Sequence, residues 1–303
     1  LGKDLYRRIA PASFFARPDW WDAAAGDWRC AAVVDDNGLA AAFPYVVRKK
    51  WGLRFIEQPP LTPRIPVYFR DAVGLGKKHE ILTRLVASLP PYDRLVLSFH
   101  PSLDNCSAFH WAGMTLKTRY TQIIDPLTED PVKRFAKDAR RNFEKSDPLT
   151  TLRIETPNAE NVVHLYRLMQ TTFARRESKI PFTFDWFAGL YLSNAARSSF
   201  SILAADENAF VYKMRWYVYD HETLYALASG QDTRYRNRVV NEKIDWTAMQ
   251  KARELGLKRL DFLGSMLKGV EATQRKMGAV SVPYTEVVHI PHRGLRLWWA
   301  WRG

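Results

Sequence analysis

No stretch of about 18 consecutive apolar residues occurs in this sequence, so no membrane-crossing helix is expected. The best apolar run, residues 39–47, is shorter and contains Pro44. Cysteine is scarce: Cys30 and Cys106 stand far apart and form no Cys-x-x-Cys pair. That argues against a disulfide framework or a thiolate metal site, and reads as two inert thiols in a reducing compartment. Gly74-Leu75-Gly76-Lys77-Lys78 lacks the spacing and the hydroxyl residue of a Walker A loop. There is no Gly-x-Ser-x-Gly elbow and no His-Glu-x-x-His pair. His289 and His292 lie either side of Pro291 and read as loop residues, so no metal is expected. The first residue is leucine, which leaves room for an earlier start or a removed leader.

What is present is positive charge. The 303 residues carry 45 Lys and Arg against 32 Asp and Glu, a net +13. The excess is shared, +6 in residues 1–150 and +7 in residues 151–303. Such a balance fits an anionic partner (RNA, a phosphorylated substrate or an acidic membrane surface) or serves solubility alone. Hydrophobic residues at 47% and charged residues at 25% are ordinary for a globular chain. The length allows one large or two ordinary domains, with a core that needs no staple.

Both halves follow a similar order of elements, without a residue-level repeat. Ser13 heads a predicted helix to residue 25. Apolar residues in 29–34 and 39–48 surround Asp35-Asp36-Asn37-Gly38, and Asn-Gly tolerates positive φ, so a hairpin is predicted. Residues 77–89 read as a helix with Ile81, Leu82, Leu85 and Val86 on one face. A strand at 94–99, a short helix at 103–111 and a strand at 116–124 follow. Residues 130–145 read as a basic amphipathic helix that Asp147-Pro148 ends. A boundary there gives domains 1–150 and 151–303. The second half reads as helices 162–173 and 185–194, then strands 200–205, 210–219 and 223–229. Helix 239–255, strand 258–262, a short helix reaching Gly278 and a final strand from Tyr284 complete it.

Four stretches carry more than periodicity. Residues 257–288 place Asp261 near a strand end, followed by Glu271, Arg275-Lys276-Met277-Gly278 and Tyr284. Residues 231–240 contain Arg234-Tyr235-Arg236-Asn237-Arg238 at a helix start. Arg48-Lys49-Lys50 precedes a loop with Gln58-Pro59-Pro60-Leu61-Thr62-Pro63-Arg64. Arg140-Arg141-Asn142 lies on the basic helix. With the order of elements, these resemble GNAT-like acyltransferases, and most of all the tandem-GNAT, Fem-like group. Better-known members of that group transfer amino acids from aminoacyl-tRNA onto peptidoglycan precursors. The resemblance covers nearly the whole chain. It implies an α/β (α+β) fold with two GNAT-like domains in tandem, each a mixed, mostly antiparallel sheet flanked by helices. The N-terminal domain is the degenerate one, and the C-terminal domain the acyltransferase.

In acetyl-CoA enzymes of this type, Gln/Arg-x-x-Gly-x-Gly/Ala lets backbone N–H groups close on the pyrophosphate. Both glycines are absent at the matching place here. Arg234, Tyr235, Arg236, Asn237 and Arg238 are read as a donor site that holds phosphate by side chains, or as a solvated basic turn. Arg48, Lys49, Gln58 and Arg64 are read as an acceptor site on a proline-stiffened path, or as a surface crossover loop. Arg140, Arg141 and Lys145 face RNA or another anionic surface, or only solvent.

Amine acyl transfer needs a neutral nucleophile, a stabilised oxyanion and a proton for the leaving group. Asp261 is the first candidate as base or amine-orienting carboxylate, and Glu271 the second. Arg275, Lys276 and Tyr284 would serve the leaving group. The bland alternative for Asp261 is a cap or a salt bridge with Lys258 or Arg259. Trp298, Trp299, Trp301 and Arg302 suit a membrane interface or docking onto the protein body.

The expected function is N-acyl transfer from an activated donor, aminoacyl-tRNA ahead of acyl-CoA, to an amine acceptor that is phosphorylated or lipid-linked. No permanently bound cofactor is expected, and the expected location is cytoplasmic or peripheral at the membrane. The alternatives are an acyl-CoA-dependent GNAT N-acetyltransferase and an inactive module that binds RNA or anionic lipid.

Overall fold

The Asn37-Gly38 step turns the chain as its residues predict. Gly38 takes φ 96° and joins strands β1 (Arg29–Asp35) and β2 (Gly38–Lys50), which pair antiparallel with Val33 opposite Ala41. Trp51 and Gly52, both at positive φ, make a second turn into β3 (Leu53–Glu57). No strand was expected over residues 51–64. Instead β3 pairs antiparallel with β2 and parallel with β5 (Arg94–Ser98). The short strand β4 (Tyr68–Phe69) adds to β2.

The computed structural model describes residues 2–9, 13–70, 74–264, 266–292 and 294–296. Its contacts form two compact units, Leu1–Arg119 with Pro283–Gly303, and Tyr120–Val282. The expected division at residue 150 falls elsewhere. The basic segment near 140 packs within the second unit, and the last strand returns to the first.

Helices α1 (Gly2–Tyr6), α2 (Pro18–Ala25), α3 (Leu75–Ala87) and α4 (Ser107–Trp111) complete the first unit's regular elements. The helix expected from Ser13 is broken. Phe14–Ala16 forms a 3-10 turn, and Arg17 is extended at ψ 126° because Pro18 follows it. The core beneath is aromatic: Trp20, Trp21 and Trp28 are buried, as is Tyr6. Their polar ends are satisfied, with Trp20 Nε1 donating to Thr62 Oγ1 at 2.9 Å and Trp21 Nε1 to the Phe15 carbonyl at 2.8 Å.

Strand β6 (Thr115–Ile124) carries the chain into the second unit. There follow α5 (Lys137–Glu144), β7 (Thr151–Glu155), α6 (Ala159–Ala174) and α7 (Phe184–Tyr191). The meander β8 (Ser199–Ala205), β9 (Val211–Tyr219) and β10 (Thr223–Gln231) is antiparallel throughout. Helix α8 (Asn241–Glu254) then crosses over to β11 (Arg259–Asp261), parallel to β10. Helix α9 (Lys268–Lys276) leads to β12 (Val280–His289), whose residues from Glu286 to His289 pair with β5. The strand order of this unit is β6-β11-β10-β9-β8-β7.

Ile244, Ala248 and Ala252 recur at helical spacing on α8 and pack on Phe200, Tyr217, Leu224 and Leu260. On α6, the helix lies so close to β10 that a Cβ at Gly230 would meet the Leu168 carbonyl carbon at 2.3 Å.

The basic helix expected over 130–145 is shorter. Pro131–Arg134 forms a 3-10 turn and Phe135 is extended at ψ 135°. The Phe135 ring is buried, and the Ala136 N–H donates to the Lys276 carbonyl at 2.7 Å. A backbone N–H spent on the end of α9 is lost to an uninterrupted helix.

Candidate functional site

The segment between β10 and α8 is held in shape from inside. Gln231 is fixed to α6, its carbonyl accepting from Thr171 Oγ1 at 2.9 Å and its N–H donating to Thr172 Oγ1 at 3.0 Å. Asp232 accepts from the Arg234 N–H at 3.0 Å and so starts a 3-10 turn, Thr233–Tyr235. The Tyr235 ring stacks on Tyr212 at 4.6 Å and on Phe210 at 5.7 Å. Its hydroxyl donates to Asp206 Oδ2 at 2.5 Å, which holds the Asp206 carboxyl below the usual range and raises the phenol.

The arginines of this turn divide into two kinds. Arg234 is paired with Asp232 at 2.9 Å. Arg238 lies 2.7 Å from Asp147 and 3.1 Å from Glu207. Arg236 and Asn237 are exposed, and their side chains have no partner among the described residues.

Beneath the turn lies a buried polar cluster. Arg215 of β9 pairs with Asp245 of α8, and Tyr217 donates to the same carboxylate at 3.0 Å. Against the desolvation of burial, Asp245 holds Arg215 above its ordinary value. Burial, with Asp245 beside it, pushes the Tyr217 phenol well up. Asn142 of α5 donates to Glu242 Oε1 at 3.0 Å. Lys213 sits among these groups, 3% exposed. It escaped the sequence reading, although a lysine inside the apolar run of β9 is a signal in its own right.

Asp261 ends β11 and is 2% exposed. Its Oδ1 accepts from Thr121 Oγ1 at 2.5 Å and from the Leu263 N–H at 2.7 Å. The expected alternative partners are engaged elsewhere: Lys258 and Arg259 pair with Glu222 at 2.6 and 2.8 Å. Leu263, at φ 59°, is in a region that non-glycine residues rarely occupy. The Asp261 carboxylate holds that strained turn through the Leu263 N–H, and strain of this kind gathers at functional sites. Glu271 and Arg275, one helical turn apart on α9, pair with each other at 3.0 Å.

The second unit thus holds Asp261, Glu271, Arg275 and the donor turn. Tyr284 and the expected acceptor residues belong to the first unit. Arg64 is buried and its guanidinium lies 5.4 Å from the centre of the Tyr284 ring. Gln58 organises its own loop, donating to the Thr62 and Pro63 carbonyls at 2.9 Å and accepting from the Ser98 N–H at 2.8 Å. Arg48 pairs with Glu57 at 2.7 Å, and Lys49 is exposed.

Arg141 and Lys145 are exposed. Arg140 donates to the Lys133 and Phe135 carbonyls and borders an open pocket of about 400 Å³ with Val132, Phe143 and Trp246. Burial pushes the Cys30 thiol up to about 12 and raises that of Cys106. Among the described residues, no group of three or more His, Cys, Asp or Glu could hold a metal ion, and no helix is long and apolar enough to cross a membrane. Trp298, Trp299, Trp301 and Arg302 lie outside the described residues.

The order of elements in the second unit has counterparts among known proteins. Residues 132–272 match the acetyltransferase (GNAT) domain. No curated protein matches the sequence. The fold is similar to that of FemX at a TM-score of 0.65, with 14% identity over 94% of both chains. It is similar to the C-terminal domain of a protein assigned as lysylphosphatidylglycerol synthetase from Agrobacterium fabrum, with a TM-score of 0.58 and 11% identity over 95% of this chain and 90% of that one. A tandem GNAT protein from the clavulanic acid biosynthesis pathway gives a TM-score of 0.57 and 9% identity over 94% and 92%. Residues 132–272 therefore match an acetyltransferase (GNAT) domain, in a chain whose fold is similar to that of FemX and of a tandem GNAT protein.

Proposed function

We propose that this protein is an N-acyltransferase that moves an aminoacyl group from aminoacyl-tRNA to an amine acceptor. The observation that carries the reading is the turn at 231–241. It opens a helix after the last strand of the meander, where an acyl-CoA enzyme needs glycines to bring backbone N–H groups onto pyrophosphate. Here it is filled by arginine, tyrosine and asparagine side chains, with Arg236 and Asn237 exposed. A guanidinium fork and an amide on exposed side chains can hold a single phosphate of an RNA backbone without the close backbone approach that a pyrophosphate cradle needs.

Net charge supports a polyanionic donor. FemX and a protein named for joining a lysyl group to phosphatidylglycerol share the fold, which supports an aminoacyl group and an acceptor on or near lipid. Asp261 orients or deprotonates the acceptor amine. Arg275, with Glu271 beside it, stabilises charge near the leaving group, and Tyr284 offers a phenol. The acceptor residues expected in the first unit, Arg48, Lys49, Gln58 and Arg64, remain part of this proposal. The location that follows is the cytoplasm, with peripheral contact at the membrane surface.

Calorimetry with acetyl-CoA, and with desulfo-CoA as a control, tests the donor. Binding is expected in the high micromolar range or weaker. A stoichiometric complex near 1 μM, about −8 kcal/mol, would make acyl-CoA the donor. That second reading has its own support, since one neighbour of this fold is described by whether AcCoA is present.

A further inference from the structure

Lys213 stands out among the buried groups because the chemistry proposed above does not use it. Its Nζ donates to Gln231 Oε1 at 3.3 Å and to Asn241 Oδ1. Gln231 is the last residue of β10 and Asn241 the first of α8. One amine therefore holds both ends of the arginine turn. Gln231 carries the hold inward, its Nε2 donating to the Tyr235 carbonyl at 3.0 Å. Burying an amine is costly, and a methionine would fill the same space without that cost. The space alone does not explain a lysine here.

We propose that Lys213 is a positioning residue for the acyl donor: its buried amine clasps the two ends of the 231–241 turn and so presents Arg236 and Asn237 to an anionic group of that donor. The proposal rests on the donor reading above.

The clasp is sensitive to pH. The charged groups facing the amine are Arg215, Asp245, Glu242 and Arg175. Burial and the two arginines prevail over the two carboxylates and bring its pKa down to about 7. An ammonium makes hydrogen bonds roughly twice as strong as a neutral amine does. The clasp is therefore tightest below about 7 and slackens above it. Stability moves the other way. The unfolded lysine keeps its proton up to its ordinary pKa, so between about 7 and that value the unfolded state binds more protons and folding stability rises with pH. A side chain that merely fills space shows neither trend.

Hydrogen exchange of backbone amides, read by peptide and corrected for intrinsic rates, tests the clasp. In Lys213→Met, amides 232–240 are expected to exchange at least about tenfold faster, with α6 and β11 unchanged and the melting temperature at pH 6 equal or higher. The parent protein should show faster exchange in the same amides as pH rises through 7. Asn241→Leu releases one end of the turn with Lys213 in place and should show the same local effect, which covers the case of a Lys213 variant that does not fold. Unchanged exchange over 232–240 in both variants would overturn the proposal. A tRNA serves as the anion probe, with affinity at fixed salt expected to fall at least about fivefold in Lys213→Met. Faster exchange together with no tRNA binding in any form would remove the donor reading and leave the clasp standing.

Discussion

Asp261 illustrates what a carboxylate does when it is taken out of water. It accepts a hydroxyl from another strand and an N–H from its own turn, and each bond replaces one lost to solvent. Asp261→Asn keeps the shape and weakens both bonds, so a stability loss of about 1–3 kcal/mol is expected from thermal unfolding. Thr121→Val should cost a similar amount, and the two losses should combine to less than their sum. Once an acceptor is in hand, Asp261→Asn should also lower turnover by at least about tenfold. A stable variant with full turnover would remove Asp261 from both roles. The sequence pointed to Asp261 through its place at a strand end, yet Thr121 lies 140 residues away and no local pattern announces it. Arginines were similarly legible as charges and not as pairs. Arg234, Arg238, Arg48 and Arg275 each meet a carboxylate, which leaves Arg236 as an exposed cation of the donor turn with no carboxylate partner among the described residues. Counting charge along a chain does not count the bridges it makes.

At the scale of elements, β10 and α6 approach each other closely at Gly230. Gly230→Ala would drive a methyl group into helix backbone, which cannot swing aside as a side chain can. The expected cost is about 2–4 kcal/mol in denaturant unfolding; a change below about 0.5 kcal/mol would mean that the two elements separate easily. Hairpins and helices with local signals were readable beforehand, as Asn37-Gly38 and the apolar stripe of α8 show. Strand β3 was not, because the turn before it uses Trp51 at φ 55° in place of a familiar turn pair. The break in the basic segment was hidden for another reason. Its hydrophobic spacing is helical throughout, and the interruption comes from a hydrogen bond to Lys276, remote in sequence. Periodicity reports which face is buried and is silent about competing partners for the backbone.

For the whole molecule, net charge and the order of elements are the properties that composition and pattern report best. If the charge serves an RNA donor, affinity for tRNA should fall by roughly an order of magnitude or more between 50 and 200 mM salt. Replacing Arg140, Arg141 and Lys145 together by glutamate should flatten that dependence. Salt-independent binding would leave the charge to solubility. The division into units was the feature least available to a linear reading, since β12 pairs with β5 across some 190 residues of intervening chain. That pairing has a consequence during synthesis. At about 5–20 residues per second, β5 waits roughly 10–40 s for its neighbour to leave the ribosome. Throughout that interval its backbone N–H and C=O groups on one side offer a template to any passing strand. The nascent chain therefore has a defined window of vulnerability, and whatever shields that row of groups during translation decides how much of the protein reaches its native form.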